Sequence, residues 1–226
     1  MLLKFDLKND PFREEREAMV RYQIEARGIK NPRVLEAMRK VPRHLFVPLE
    51  YRESSYEDRP LPIGEGQTIS QPYIIALMTQ ALDLKGEEKV LEVGTGSGYQ
   101  AAILAELAKE VFSIELEKSL AERAKKLLEE LGYDNVHIRI GDGFFGWPEE
   151  APFDRIIITC AAPRIPEPLM DQLKDGGRMV LPLGEMPYHQ DLILVKKKGK
   201  EYEIEDLGGV VFVPMRGVIQ KKEVLR

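Results

Sequence analysis

Hydrophobic positions along this chain follow two rhythms. Residues 10 to 27 are polar and charged, with Met19, Val20, Tyr22 and Ile24 interspersed, and they run from Asp10-Pro11 to Gly28. That pattern, with its glycine stop, predicts an amphipathic helix. A second short helix follows Asn31-Pro32, carrying Val34, Leu35 and Met38 on one face. Val41 to Pro48 is an irregular segment bracketed by prolines. Ser54 to Gln71, with Pro60, Pro62, Gly64 and Gly66, predicts a loop. Past Pro72, helical spacing returns at Ile74, Leu77, Met78, Ala81 and Leu82.

From residue 89 the rhythm changes to short apolar runs separated by helical stretches. Strands are predicted at 89–93, 111–115, 136–140, 154–159 and 177–181, with helices over 99–107, 118–131 and 169–173 between them. Strands alternating with helices imply right-handed crossovers and a mostly parallel, doubly wound α/β sheet covered on both faces. Residues 191–196 and 201–213 have no helix between them and predict an antiparallel hairpin at one sheet edge. The organisation expected is a helical and loop extension over 1–71, contributing to the active site, and an α/β domain over 72–226, together forming one compact unit.

Composition narrows the function classes. The 226 residues carry 33 Lys+Arg against 38 Asp+Glu, a net charge of −5. There is no basic excess for binding nucleic acid through its phosphates. A single cysteine, Cys160, excludes an internal disulfide framework and a multi-cysteine zinc site. His44, His137 and His189 show no metal spacing, and no metal is expected. No apolar run reaches the roughly 18 residues that span a bilayer, and Met1 to Asp6 lacks a signal-peptide core. A cytoplasmic globular monomer without nucleic-acid or membrane partners is expected. Glu and Lys are abundant while Asn is scarce, the bias of hyperthermophile proteins, and it implies such a source.

The chemistry concentrates after the first strand of the second rhythm. Glu92-Val93-Gly94-Thr95-Gly96-Ser97-Gly98 reads as strand, tight turn, then helix, the arrangement that brings backbone close to a nucleotide. The third glycine comes one residue earlier than in the dinucleotide fingerprint. Glu115 closes the next strand, where a carboxylate can accept both ribose hydroxyls, and Asp142, between Gly141 and Gly143, follows the strand after that. All three acids thus fall at the C-terminal ends of consecutive strands, where open α/β sheets bind ligands. Ser70 has two readings. Two residues before Pro72, at the opening of an apolar helix, it reads as an ordinary N-cap, or as a hydroxyl presented to an anionic group at that same terminus.

The glycine loop with its acids resembles the class I S-adenosylmethionine-dependent methyltransferases, which implies a Rossmann-like methyltransferase sheet. More narrowly, the chain resembles the protein-L-isoaspartate (D-aspartate) O-methyltransferases. The similarity rests on Val41-Pro42-Arg43-His44-Leu45-Phe46-Val47-Pro48, Gly66-Gln67-Thr68-Ile69-Ser70-Gln71-Pro72, Leu91 to Ala102, Gly141-Asp142-Gly143, 152–159 and 176–182. The loop identifies only the cofactor class, while Thr-Ile-Ser-Gln-Pro is far more specific. The resemblance implies a cofactor site of Thr68, Ile69, Gln71, Glu92, Gly94, Thr95, Gly96, Ser97, Gly98, Glu115, Asp142 and Gly143. It implies Ser70 as the active-site residue, and substrate contacts from Gly66, Gln67, Ser70 and Val213. The histidine some relatives carry shortly after this proline is absent here, where Tyr73, Ile74 and Ile75 follow.

The resemblance further implies S-adenosylmethionine as cofactor, S-adenosylhomocysteine as product, and isoaspartyl proteins and peptides as substrates. Methylation of their free α-carboxylate initiates repair through a succinimide. Such a substrate binds as an extended segment. Candidate walls are Ile63 to Gln67, His44 to Val47, and Val211 to Pro214. Cys160 is expected to be a small core residue, and His137 to face outward. Two alternatives remain open at this point: a methyltransferase of a small molecule or nucleic acid, and a non-catalytic nucleotide-binding module.

Overall fold

The computed structural model describes residues 10–184 and 189–220; the sequence reading of Met1 to Asp6 lies outside them. Asp10 starts the first helix by accepting the Phe12 amide on its side chain at 3.0 Å and the Arg13 amide on its carbonyl. Helix α1 (Arg13–Ala18) runs on through a π-helical stretch (Met19–Ile24) and a final 3-10 turn (Glu25–Arg27), ending at Gly28 with φ 98°. Helix α2 (Pro32–Lys40) is capped by the Asn31 side chain, with proline at its first position.

The segment expected to be loop over 54–71 holds a hairpin instead. Strand β1 (Leu61–Gly64) pairs antiparallel with β2 (Gln67–Ile69), Leu61 opposite Ile69. Its two-residue turn, Glu65-Gly66, has positive φ at both positions, the hand that suits the twist of a tight hairpin. Proline at 62 and glycine at 64 hide the alternation of buried Leu61 and Ile63 with exposed neighbours. Helix α3 (Pro72–Leu82) follows immediately.

The main sheet has seven strands. In chain order come β3 (Lys89–Val93), α4 (Tyr99–Ala105), β4 (Glu110–Glu115), α5 (Lys118–Leu131), β5 (Val136–Ile140) and β6 (Phe153–Ile158). They are followed by α6 (Glu167–Gln172), β7 (Leu173–Gly184), β8 (Gln190–Lys198) and β9 (Glu201–Val210). Their spatial order is β5-β4-β3-β6-β7-β8-β9. The first four pairings are parallel, and β7-β8 and β8-β9 are antiparallel. The expected α/β class and edge hairpin are therefore present. The last strand ends at Val210 rather than 213, because Val211 to Met215 leave the sheet and run alongside Ala161.

The chain order reverses between β3 and β6, which opens a crevice beyond their C-terminal ends. Burial explains why the central strands read as unbroken apolar runs: Val90, Leu91, Ile156, Ile157 and Ile158 are fully covered on both faces. One apolar cluster joins Met19, Ile24, Met38 and Phe46 of the N-terminal segment to Tyr99, Ala101 and Leu104 of α4. That packing holds the hairpin and the start of α3 over the crevice.

Candidate active site

Backbone crowding fixes the glycine turn at the head of β3. Gly94 has φ 97°, and a Cβ there would overlap Thr159 Oγ1. That hydroxyl donates instead to the Gly94 carbonyl at 2.6 Å, while the Gly94 amide donates to the Ile114 carbonyl at 2.8 Å. A Cβ on Gly143 would overlap Val93. Only glycine lets these chain segments converge. Gly98, with φ 87°, plays another part: a Cβ there would come within 3.2 Å of Ala124, so its bareness seats α4 against α5.

A cavity opens in the crevice at the C-terminal ends of the strands, where open α/β sheets bind ligands. Of the residues singled out from sequence, Gln67, Thr68, Gly94, Gly96, Glu115, Gly143 and Val213 line it. Glu115 is nearly buried; one oxygen accepts the Gly96 amide at 2.8 Å and the other the Glu117 amide at 2.9 Å. The carboxylate thereby ties the glycine turn to the end of β4 and keeps free lone pairs at the cavity wall. A second, larger cavity of about 710 Å³ adjoins the first and is lined by Ser70, Gln71, Ile74, His189 and Phe212 among others. Thr68, Thr159, Val213 and Pro214 line both.

Ser70 sits between β2 and α3, one position before the helix N-cap. The N-cap is Gln71, and no side chain caps the helix. The ordinary reading of Ser70 as a helix cap is therefore set aside; its residue lines the second cavity. Glu92 is completely buried beneath the turn and accepts the Ser113 hydroxyl at 2.5 Å, which in turn meets Thr95 Oγ1 at 2.6 Å. Burial pushes its carboxyl up to about 8, against the Ser113 bond, with the charge of Glu115 adding to the rise. Glu92, Thr95 and Ile69 thus lie behind the cavity wall. Asp142 caps the 3-10 turn Gly143–Phe145, accepting the Phe144 amide at 3.0 Å, and its other oxygen takes the Val218 amide at 2.8 Å. Gly66 occupies the hairpin turn beside Arg216. Ser97 borders a separate groove with Leu45, Phe46 and Val47, so His44 to Val47 do not line the Ser70 cavity as expected.

Cys160 corrects another expectation: it is half-buried in the wall of the first cavity rather than in the core. Burial, with Glu115 nearby, pushes its thiol up to about 12, so it stays neutral. Thr159 and Cys160 follow β6, a place the strand-end rule points to, although sequence reading gave neither a role in the site. Glu117 and Arg216 carried no such signal. They meet at 2.6 Å across the mouth, and Arg216 also donates to the Glu65 carbonyl at 2.8 Å. His44 is buried with Asp10 and Tyr56, and burial lowers its pKa to about 4. His137 is exposed, as expected. Among the described residues no group of His, Cys, Asp or Glu is arranged to hold a metal ion.

Comparison with known proteins gives a consistent match. Residues 14–220 fit the family described as protein-L-isoaspartate(D-aspartate) O-methyltransferase. A Shewanella sediminis protein named protein-L-isoaspartate O-methyltransferase 2 is 58% identical over 209 residues, covering 92% of this chain and 86% of its own. A solved protein-L-isoaspartate O-methyltransferase superposes with a TM-score of 0.80 at 31% identity, over 91% of this chain and 66% of the other. A Plasmodium falciparum structure, described as a complex of such an enzyme with S-adenosyl-L-homocysteine, gives a TM-score of 0.77 at 25% identity, covering 89% and 98%.

Proposed function

The chain belongs to the protein-L-isoaspartate (D-aspartate) O-methyltransferase family, and from that premise we propose how its site works. It transfers the methyl group of S-adenosylmethionine to the free α-carboxylate of L-isoaspartyl residues in damaged proteins and peptides, releasing S-adenosylhomocysteine and initiating repair through a succinimide. The observation that carries this reading is the pair of adjoining cavities with shared walls at Thr68, Thr159, Val213 and Pro214. One is lined by an acid, Glu115, and by the glycine turn. The other is open enough for a peptide and contains Ser70.

The residues present fit the cofactor. Glu115 offers carboxylate lone pairs at the end of β4, Gly94 and Gly96 expose backbone, and Gly143 leaves room where a side chain would intrude. When bound, S-adenosylmethionine supplies an activated sulfonium methyl. The chain needs no general base, because a carboxylate with an ordinary pKa is already ionised at neutral pH. Its task is alignment and removal of water. Ser70, not engaged as a cap, donates its hydroxyl to one carboxylate oxygen. Phe212, Val213 and Pro214 exclude water along the path between the cavities. Gln67 lines the cofactor cavity rather than the peptide's, Gly66 lies in the hairpin turn outside both, and Thr68 stands at the junction. Glu92, Thr95 and Asp142 act on the cofactor site from behind, by holding the turn and the strand ends that line it.

The lone cysteine and acidic balance support a cytoplasmic enzyme whose partners are proteins rather than nucleic acids or membranes; among the described residues no helix is long and apolar enough to cross a membrane. The exposed pairs Lys118–Glu122 and Lys125–Glu129 on α5 accord with a hot source. The test uses methyl-labelled cofactor and two peptides differing only in isoaspartate against aspartate. Label is expected in the isoaspartyl peptide alone, in a base-labile form. Normal binding of S-adenosylhomocysteine with neither peptide labelled would refute the reading.

A further inference from the structure

Arg43 is fully buried, yet among the described residues no carboxylate lies in contact with it. Its Nε donates to the Ser55 carbonyl at 2.7 Å and one Nη to the Ser70 carbonyl at 2.8 Å. The guanidinium lies over the Tyr99 ring, 5.1 Å from its centre, at the first residue of α4 beyond the glycine turn. The remaining Nη has no partner. Burying a charge with Asp58 acting on it only from beyond contact, and leaving a donor unsatisfied, both cost stability. A residue retained only for stability would be better replaced by an apolar one of similar volume.

The geometry gives that cost a purpose. The Ser70 carbonyl precedes the N-cap and so lies outside the helical ladder of α3, whose first bond runs from the Ile75 amide to the Gln71 carbonyl. Without Arg43 the peptide unit that carries Ser70 has no fixed orientation from the helix. The rigid guanidinium fork holds two carbonyls at once and rests on the ring that starts the cofactor helix. We propose that Arg43 is the positioning residue of Ser70: it fixes the Ser70–Gln71 peptide relative to α4, and so aims the Ser70 hydroxyl at the carboxylate. This rests on the reading of Ser70 given above.

The experiment is a double-mutant cycle on methyl transfer, using Arg43→Lys, Arg43→Gln, Ser70→Ala and the two combinations. Lysine keeps the charge but cannot span both carbonyls; glutamine keeps a single donor nitrogen and loses the charge. Each single Arg43 variant is expected to lose about 10–100-fold in kcat/KM for the isoaspartyl peptide, the scale of a small misplacement of a reacting group. Affinity for S-adenosylhomocysteine should stay within about threefold, showing a folded cofactor site. In the Ser70→Ala background the same Arg43 changes should cost little more, because residues acting as one unit are not additive. Full additivity, or parallel loss of cofactor binding in both Arg43 variants, would overturn the proposal. A Ser70→Ala enzyme with undiminished turnover would instead refute the role of Ser70 while leaving the wild-type methylation result standing.

Discussion

Replacing Glu92 by glutamine should change how stability depends on pH more than it changes stability itself. The carboxyl is completely buried, with one oxygen accepting from Ser113 and the other without a partner. Burial raises its pKa from 4.5 to about 8. A folded pKa above the unfolded value means the folded chain binds more protons between pH 4.5 and 8. The stability this group contributes is fully present below 4.5 and declines as pH rises through that window. At 1.36 kcal/mol per pH unit the decline amounts to about 3–5 kcal/mol. Glutamine is neutral throughout, and can still accept from Ser113. Its buried amide donors cost about 1–3 kcal/mol, independent of pH.

The measurement is urea unfolding of both proteins at intervals from pH 5 to 9, followed by the fluorescence of the single tryptophan, Trp147. The quantity of interest is wild-type stability minus that of the variant. It should be highest at pH 5, fall by a few kcal/mol as pH approaches 8, and then level off. His44 titrates in both proteins and cancels in the difference; its lowered pKa, about 4, has the opposite sign and makes both proteins lose stability below pH 6.5. A difference that stays flat between pH 5 and 9 would refute the claim that the folded protein holds Glu92 as a neutral acid.

Two further predictions concern the cofactor cavity. Glu115→Ala removes an acceptor from the cavity wall and releases the amides of Gly96 and Glu117; calorimetric titration should show weaker S-adenosylhomocysteine binding by about 1.5–3 kcal/mol per charge-assisted bond lost, and unchanged affinity would exclude the ribose role. Arg216→Ala breaks the pair with Glu117, both side chains being about a third exposed; stopped-flow release of S-adenosylhomocysteine should quicken by about fivefold at most, the kinetic counterpart of the ~1 kcal/mol ceiling for such a pair, and Glu117→Gln should match it, whereas no change in either variant would show that the pair does not guard the mouth.

What the sequence made legible depends on the range over which each feature is decided. β3, the glycine turn and α4 are decided locally, by an apolar run, backbone angles open only to glycine, and the return of helical spacing at Tyr99. The end of α5 is equally local, a glycine at 132 with φ 82°. The β1–β2 hairpin failed this test because its residues carry the composition of a loop, and its alternation of burial spans only four positions.

The site divides along the same line. Glycine positions and strand-end acids follow from the parallel sheet, so Gly94, Gly96, Glu115 and Gly143 fall at the cavity wall. Whether an acid's oxygens remain available is a different matter, decided by partners distant in the chain. Asp142 binds the Val218 amide, 76 residues away, and Arg216 reaches Glu117 and Glu65 across 99 and 151 residues. No spacing rule connects such positions. They all meet at the segment that leaves β9 at Val211 and returns over the crevice, with the Ala161 amide donating to Val213 and the Met215 amide to Ala161, each at 2.8 Å. That crossing turns an open strand-end crevice, common to many α/β sheets, into two cavities that share a wall. The class of cofactor is therefore written in the local pattern, while the place where a peptide carboxylate meets it is set by long-range closure.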